Sequence, residues 1–258
     1  MLLAGIIAGN TAKSMGSSLP VLMALSLAMC VFLSVIVALV YVYGRLPIMI
    51  ATIGMALLYE SLTSQFFGGR GINLVSNLKL KTFSSFPGVL IPFAGAVAAY
   101  AIFSYISKTG KQSQLLANNQ QAAVNIGINE NKNVIISFIY SGLIFGFATM
   151  IWVSTGLHDA SYSSLSTVGE LFSNILPVFV GLYIGAFCGD TIGIIMGSIS
   201  ICLMTFGLEA VLSSDMGSAV STAMMGIFVF LVNLVAGQSG NIKALFAKMT
   251  ATAKRPAV

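Results

Sequence analysis

"SLPVLMALSLAMCVFLSVIVALVYVY", residues 18–43, contains no charged side chain. A helix needs about 20 mostly apolar residues to cross about 30 Å of hydrocarbon, and this run is long enough. Similar runs recur along the chain, and apolar length together with Pro and Gly punctuation predicts helices at 18–43, 47–67, 87–107, 133–155, 171–188, 191–212 and 217–236. Soluble domains carry charge on about a quarter of their residues; here 57% are hydrophobic and 7% charged. The weak ten-residue alternation of an outer-membrane barrel is absent. The expected fold is an all-α, polytopic transmembrane helical bundle of about seven spans forming a single domain over 1–258. Within it, residues 1–17 read as an incomplete N-terminal membrane segment, 107–132 as a polar loop and 237–258 as a basic tail.

Residues 171–212 are apolar for longer than one crossing allows, so the chain must turn inside "FCGDTIG", where Gly189 can end one helix and Asp190 cap the next. Gly181, Gly185, Gly189, Gly193 and Gly197 recur at four-residue spacing there, and Gly142 and Gly146 repeat it in another span. Small residues at that interval let helix backbones approach closely in lipid. They are read as helix-packing glycines, either within one subunit or along a seam against a second copy.

Basic residues gather on the cytoplasmic side of membrane proteins. Lys243, Lys248, Lys254 and Arg255 in the tail, Lys108, Lys111 and Lys132 in the loop 107–132, and Arg45 fall on one side when the spans alternate. That side is expected to be cytoplasmic, in a multi-pass protein of the plasma (inner) membrane. Arg70, Lys79 and Lys81 fall on the other. The net charge of +5 follows from this topology and gives no indication of nucleic-acid binding.

The most polar segment between two apolar runs is "LLANNQQAAVNIGINENKNV", residues 115–134. Asn119 is placed to cap a short helix made of Gln120, Gln121, Ala122, Ala123, Val124, Asn125 and Ile126, and Gly127 suits the left-handed position that ends it. A helix of two turns is marginal alone in water, so its small apolar patch (Ala122, Ala123, Ile126) must pack on the membrane domain or on a partner. The amides then face outward.

"ANNQQAAVNIGINENKNVIISFIYSGLIFGFATM" resembles the cytoplasmic loop and following helix of ABC transporter permeases of the ribose/carbohydrate, branched-chain amino acid-like importer family. There a G-N-N, a small-residue pair and G-I-N-V-x-K-x-K lead into a helix rich in small residues. Upstream, "YGRLPIMIATIGMALLYESLTSQFFGGRGINL" resembles the same family's segment in which a basic loop and a proline precede T-L-G-M, with G-G-R-P-I at the outer end. The resemblance covers about residues 18–236. It implies that Asn119 to Gly127 form the coupling helix that docks on a cytoplasmic ABC ATPase. It also implies an extracytoplasmic solute-binding protein and a second permease copy or related chain. The sequence departs from the family at Leu116 and Ala117, where a glycine pair is usual, and in the short "FCGDTIG" connection; it opens at "MLLAGIIAGNTAKSMGSS" where members have further upstream membrane segments, so either a clipped start or a reduced version is expected.

Catalysis by this chain finds no support. Around "SKTGKQS", residues 107–113, Tyr105 just upstream and Gln112 stand where a phosphate-binding loop needs Gly and Ser or Thr, so ATP and Mg are expected on a partner ATPase and no cofactor on this chain. Cys30, Cys188 and Cys202 lie in apolar runs and read as buried space-fillers, and the single His158 excludes a sequence-evident metal site. Ionisable groups inside lipid are functional candidates. Glu60 either lines a passage or snorkels at the interface; Glu209 is a second candidate, with Tyr59, Tyr100 and Asn174 able to hydrogen-bond a hydroxylated solute. The expected function is the membrane-spanning subunit of an ATP-driven importer for a small hydrophilic solute, a sugar by resemblance. The alternatives are a non-conducting permease-like scaffold and an ion-coupled carrier.

Overall fold

The structure is a computed structural model that describes residues 1–16, 18–69, 71–74, 79–160, 177–182, 184–185 and 189–211, with isolated positions at 220, 223, 226, 227 and 230. The chain divides into two compact units, Met1–Val168 and Gly169–Val258.

In the first unit, helices α1 (Leu2–Ser14), α2 (Leu19–Gly44) and α3 (Ile48–Thr63) are followed by an irregular loop, then α4 (Leu90–Ala101), α5 (Lys108–Asn118), α6 (Gln120–Asn125) and α7 (Glu130–Ser154). α2 and α7 have mean hydropathies of 2.7 and 2.1 over their most apolar windows, yet each buries only 22% of that window within the protein. Apolar faces with no protein cover need a hydrocarbon solvent, so this is a helical membrane protein. Among the described residues two helices are long and apolar enough to cross a bilayer, and a third crossing exists if Leu90–Ile106 and Lys108–Asn118, bent by 69°, count as one broken span.

Sequence and structure differ at several boundaries. The span expected at 47–67 ends at Thr63, and it could not have run through 67, because Phe67 and Gly68 take positive φ (52° and 66°), which no right-handed helix accommodates. The span expected from 87 begins as an α-helix at Leu90. The span expected from 133 begins at Glu130, because the Asn129 side chain accepts a hydrogen bond from the Lys132 N–H (3.1 Å) and extends the helix into polar sequence. Within the segment expected at 1–17, too short to cross, Leu2–Ser14 form the well-buried α1, whose Ile6, Ala8 and Ala12 are part of the main core.

That core lies where α1 and α7 meet the loop between α3 and α4. Ile72, Leu74, Leu80 and Phe83 of the loop pack with Leu22, Met150, Val153 and Ala160. A two-residue antiparallel pairing joins β1 (Ile72–Asn73) to β2 (Leu157–His158), Ile72 opposite His158. Polar ties fix the loop further: Asn10 Nδ2 donates to the Gly71 carbonyl (2.9 Å) and Ser154 Oγ to that of Leu80 (2.8 Å). His158 stacks on Trp152, ring centroids 3.7 Å apart.

The long helices α2 and α7 are in backbone-to-backbone contact. A Cβ added to Gly142 would lie 2.8 Å from Val31 Cα, and one added to Gly146 would lie 2.9 Å from Leu27 Cα. Cys30 Sγ and Thr149 Oγ1 meet between them at 3.3 Å.

In the second unit, residues 177–182, 184 and 185 are helical and α8 runs Asp190–Val211. Gly189 takes φ +91° and its N–H reaches the Gly185 carbonyl (2.7 Å), a helix-ending geometry just before α8 begins. Gly181, Gly193 and Gly197 then meet backbone against backbone. A Cβ at Gly197 would lie 2.6 Å from Gly181 N, and one at Gly193 would strike Gly185. Cys202 is exposed on α8 rather than buried, while Cys30 is buried as expected. Cys188, the tail 237–258 and nearly all of the span expected at 217–236 lie outside the described residues.

Candidate functional site

The polar segment between α4 and α7 folds as an elbow. α4 passes into a π-turn, Ile102–Ile106, and the chain bends at Ser107, whose side chain accepts from the Thr109 N–H (3.2 Å) and caps α5. Gly110 is pressed against the Phe103 carbonyl so closely that a Cβ would not fit. α5 was not evident in the sequence, where "KTGKQSQLLAN" reads as solvated connector. A serine cap followed by helix-favouring Lys, Gln and Leu was the available signal.

α6 follows immediately. Asn119 has extended backbone (φ −156°, ψ 96°), and its Oδ1 accepts from the Ala122 N–H at 3.1 Å, as an N-cap should. Gly127 takes φ +94°, and its N–H bonds the Val124 carbonyl (2.9 Å) while Ile128 N–H bonds that of Ala123 (3.2 Å). These bonds close the helix end on a left-handed residue. Within α6, Ala123 is buried; Gln120, Gln121, Ala122, Val124 and Asn125 are exposed, and Ile126 beyond its end is 80% exposed. The apolar patch expected from Ala122, Ala123 and Ile126 is thus divided, with Ala123 turned inward and the other two outward.

The elbow is fastened to the start of α7. Gln120 Nε2 donates to Glu130 Oε1 at 2.7 Å. Deeper, Asn133 Nδ2 donates to Ser113 Oγ (2.9 Å), Ser113 Oγ meets Ser137 Oγ (3.3 Å), and Ser137 Oγ donates to the Asn133 carbonyl (2.9 Å). Asn133 Oδ1 has no partner among the described residues. Beside this cluster lies a groove of about 370 Å³, bordered by Tyr41, Leu116, Gln120, Glu130 and Asn133. Sequence reading overlooked Asn133 and Ser137, although their spacing of four puts both on one face of a helix.

Of the pathway candidates, Tyr59 and Glu60 lie on α3 and Tyr100 on α4. Tyr59 Oη donates to the Leu33 carbonyl of α2 (2.8 Å), which ties α3 to α2. Glu60 is 4% exposed, and its carbonyl accepts from Thr63 Oγ1 (2.6 Å). Tyr100 is exposed on α4. Glu209 belongs to α8, and Asn174 lies outside the described residues. No group of His, Cys, Asp and Glu able to hold a metal occurs among the described residues.

Residues 1–230 match the family described as the branched-chain amino acid transport system permease component. The chain belongs to this permease family. A galactose/methyl galactoside import permease protein of Haemophilus influenzae is 23% identical over 201 residues, a match that takes in 74% of this chain. The match spans 59% of that relative's length. No solved structure matches the chain.

Proposed function

We propose that this permease is the membrane-spanning subunit of an ATP-driven ABC importer for a small hydrophilic solute, a sugar in first place, and that α6 is its coupling helix. The observation that carries the reading is α6 itself. It is a six-residue helix, capped at both ends, without charged residues and fixed to a membrane-crossing helix, and it presents Gln121, Ala122, Val124 and Ile126 outward. Exposed apolar atoms on a rigid knob in water favour a protein partner, and the absence of net charge lets the knob seat in a groove without a large desolvation penalty. The resemblance of "ANNQQAAVNIGIN" to importer loops supplies the partner: a cytoplasmic ATPase carrying ATP and Mg.

In this reading the elbow and the C-terminal tail are cytoplasmic, and the bundle completes about seven spans. An extracytoplasmic binding protein delivers solute at the opposite face. A second permease copy or related chain encloses the passage, which opens alternately as the ATPases move the two coupling helices. The family's description names branched-chain amino acids, while the galactoside permease relative and the resemblance to carbohydrate importers favour a sugar, which is therefore placed first. The test is cysteine crosslinking from Gln121 to the co-expressed ATPase, followed by uptake of labelled galactosides into vesicles. ATP-dependent uptake with a Gln121 crosslink is the expected result. Absence of any ATPase contact at Gln121 overturns the reading.

A further inference from the structure

Resting on the assignment of α6 as the coupling helix, we infer that Asn133 is a positioning residue that, with Ser113 and Ser137, clamps the α5–α6 elbow to α7 so that elbow and span move as one lever.

Proton bookkeeping gives the cluster a direction. A serine hydroxyl has one proton to donate. Ser137 gives its proton to the Asn133 carbonyl, and Ser113 already accepts from Asn133 Nδ2. The contact between Ser113 and Ser137 therefore runs from Ser113 to Ser137. The result is a closed circuit from the Asn133 amide through both hydroxyls and back to the Asn133 backbone, each proton used once and all in one sense. Bonds in such a chain polarise one another, and the Ser113 and Ser137 hydroxyls within it are half-buried. Asn133 is 5% exposed.

The circuit lies where a lever needs its fastening. Ser113 is near the middle of α5, and Asn133 and Ser137 occupy the first two turns of α7. Gln120 to Glu130 adds a second attachment from α6 to the first turn of α7. Between the two attachments the connection turns at Gly127, which alone would leave α6 free to pivot about α7. Beyond the clamp, Gly142 and Gly146 seat α7 on the α2 backbone. A push on α6 thus passes through Ser113 and Asn133 into α7 and on to α2. Without the circuit the same push would be absorbed in the elbow.

The test has two arms, in a background with Cys30, Cys188 and Cys202 replaced. In the first, spin labels at Gln121 and Phe145 report the distance between coupling helix and span in the reconstituted permease. One narrow distribution is expected in the parent and a broad one in Asn133→Ala and in Ser113→Ala. Ser113→Thr, which keeps the hydroxyl, should restore the narrow distribution. In the second, vesicles holding permease and ATPase are assayed for solute moved per ATP hydrolysed. Asn133→Ala should lower that ratio about five- to tenfold, in keeping with loss of a hydrogen bond or two, while ATPase association and ATP turnover persist. Oxidation of a Ser113→Cys/Ser137→Cys pair should preserve the ratio. A narrow distribution in both alanine variants overturns the clamp, as does a transport block on oxidation that reduction relieves. If the parent never engages an ATPase, the importer reading fails while the distance arm still judges the clamp.

Discussion

Gly142 and Gly146 decide how closely two membrane helices approach, and Gly54 is an internal control for them. At 142 and 146 any added Cβ meets the backbone of α2 at 2.8–2.9 Å, whereas at Gly54, within α3, nothing lies within 4 Å. Alanine at the first two positions must push α7 away from α2 and loosen the contact between Cys30 and Thr149. Overpacking of this kind costs about 1–3 kcal/mol, while alanine for glycine in an uncrowded helix gains up to about 1 kcal/mol from backbone preference. Thermal unfolding in detergent is therefore expected to fall in Gly142→Ala and Gly146→Ala and to hold steady or rise in Gly54→Ala. Equal losses at all three would mean that helix approach is not what these glycines serve. The four-residue spacing made the small positions visible in sequence, but only the structure shows that their partners are α2 for one set and one another for Gly181, Gly193 and Gly197.

Among elements, α6 is the one whose ends carry the most consequence. A six-residue helix has few internal hydrogen bonds, so its caps supply much of its stability. Asn119→Ala removes the acceptor for the Ala122 N–H and is expected to cost about 0.5–2 kcal/mol of local stability; Gly127→Ala forces a Cβ into left-handed backbone at about 1–2 kcal/mol. Hydrogen exchange of amides 120–126 should quicken in both, and under the proposed function affinity for the ATPase should fall with it, while the spans exchange at parental rates. Unchanged exchange would show that packing against α5 and α7, not the caps, holds α6. Both caps were readable as Asn and Gly because that chemistry is local. α5 was not readable, since an amphipathic helix with Lys and Gln on its face looks in sequence like a solvated link. The α3–α4 loop misled for the same reason: Lys79 and Lys81 alternate with residues such as Leu80 and Phe83 that are buried, and the charges concealed a fold.

For the molecule as a whole, the membrane assignment was legible because it depends on composition and run length alone, which need no knowledge of neighbours. Which end of the bundle faces which compartment depends instead on a few charges, and those divide between Lys108, Lys111 and Lys132 at the elbow and Lys79 and Lys81 at the folded loop. The structure separates these groups along one element. Phe86 precedes α4, Ile126 follows the bend after it, and both side chains are 80% exposed, so the protein itself covers a thiol at neither position. The segment Leu90–Ile106 between them holds 17 residues, about 25 Å of helix, enough for most of the hydrocarbon thickness. In a cysteine-free background, a membrane-impermeant maleimide is expected to label Phe86→Cys in intact cells and Ile126→Cys only after permeabilisation. The reverse order would invert the bundle and leave α6 facing away from any ATP-hydrolysing partner. Labelling of both from outside would mean that Leu90–Ile106 enters the bilayer without crossing it.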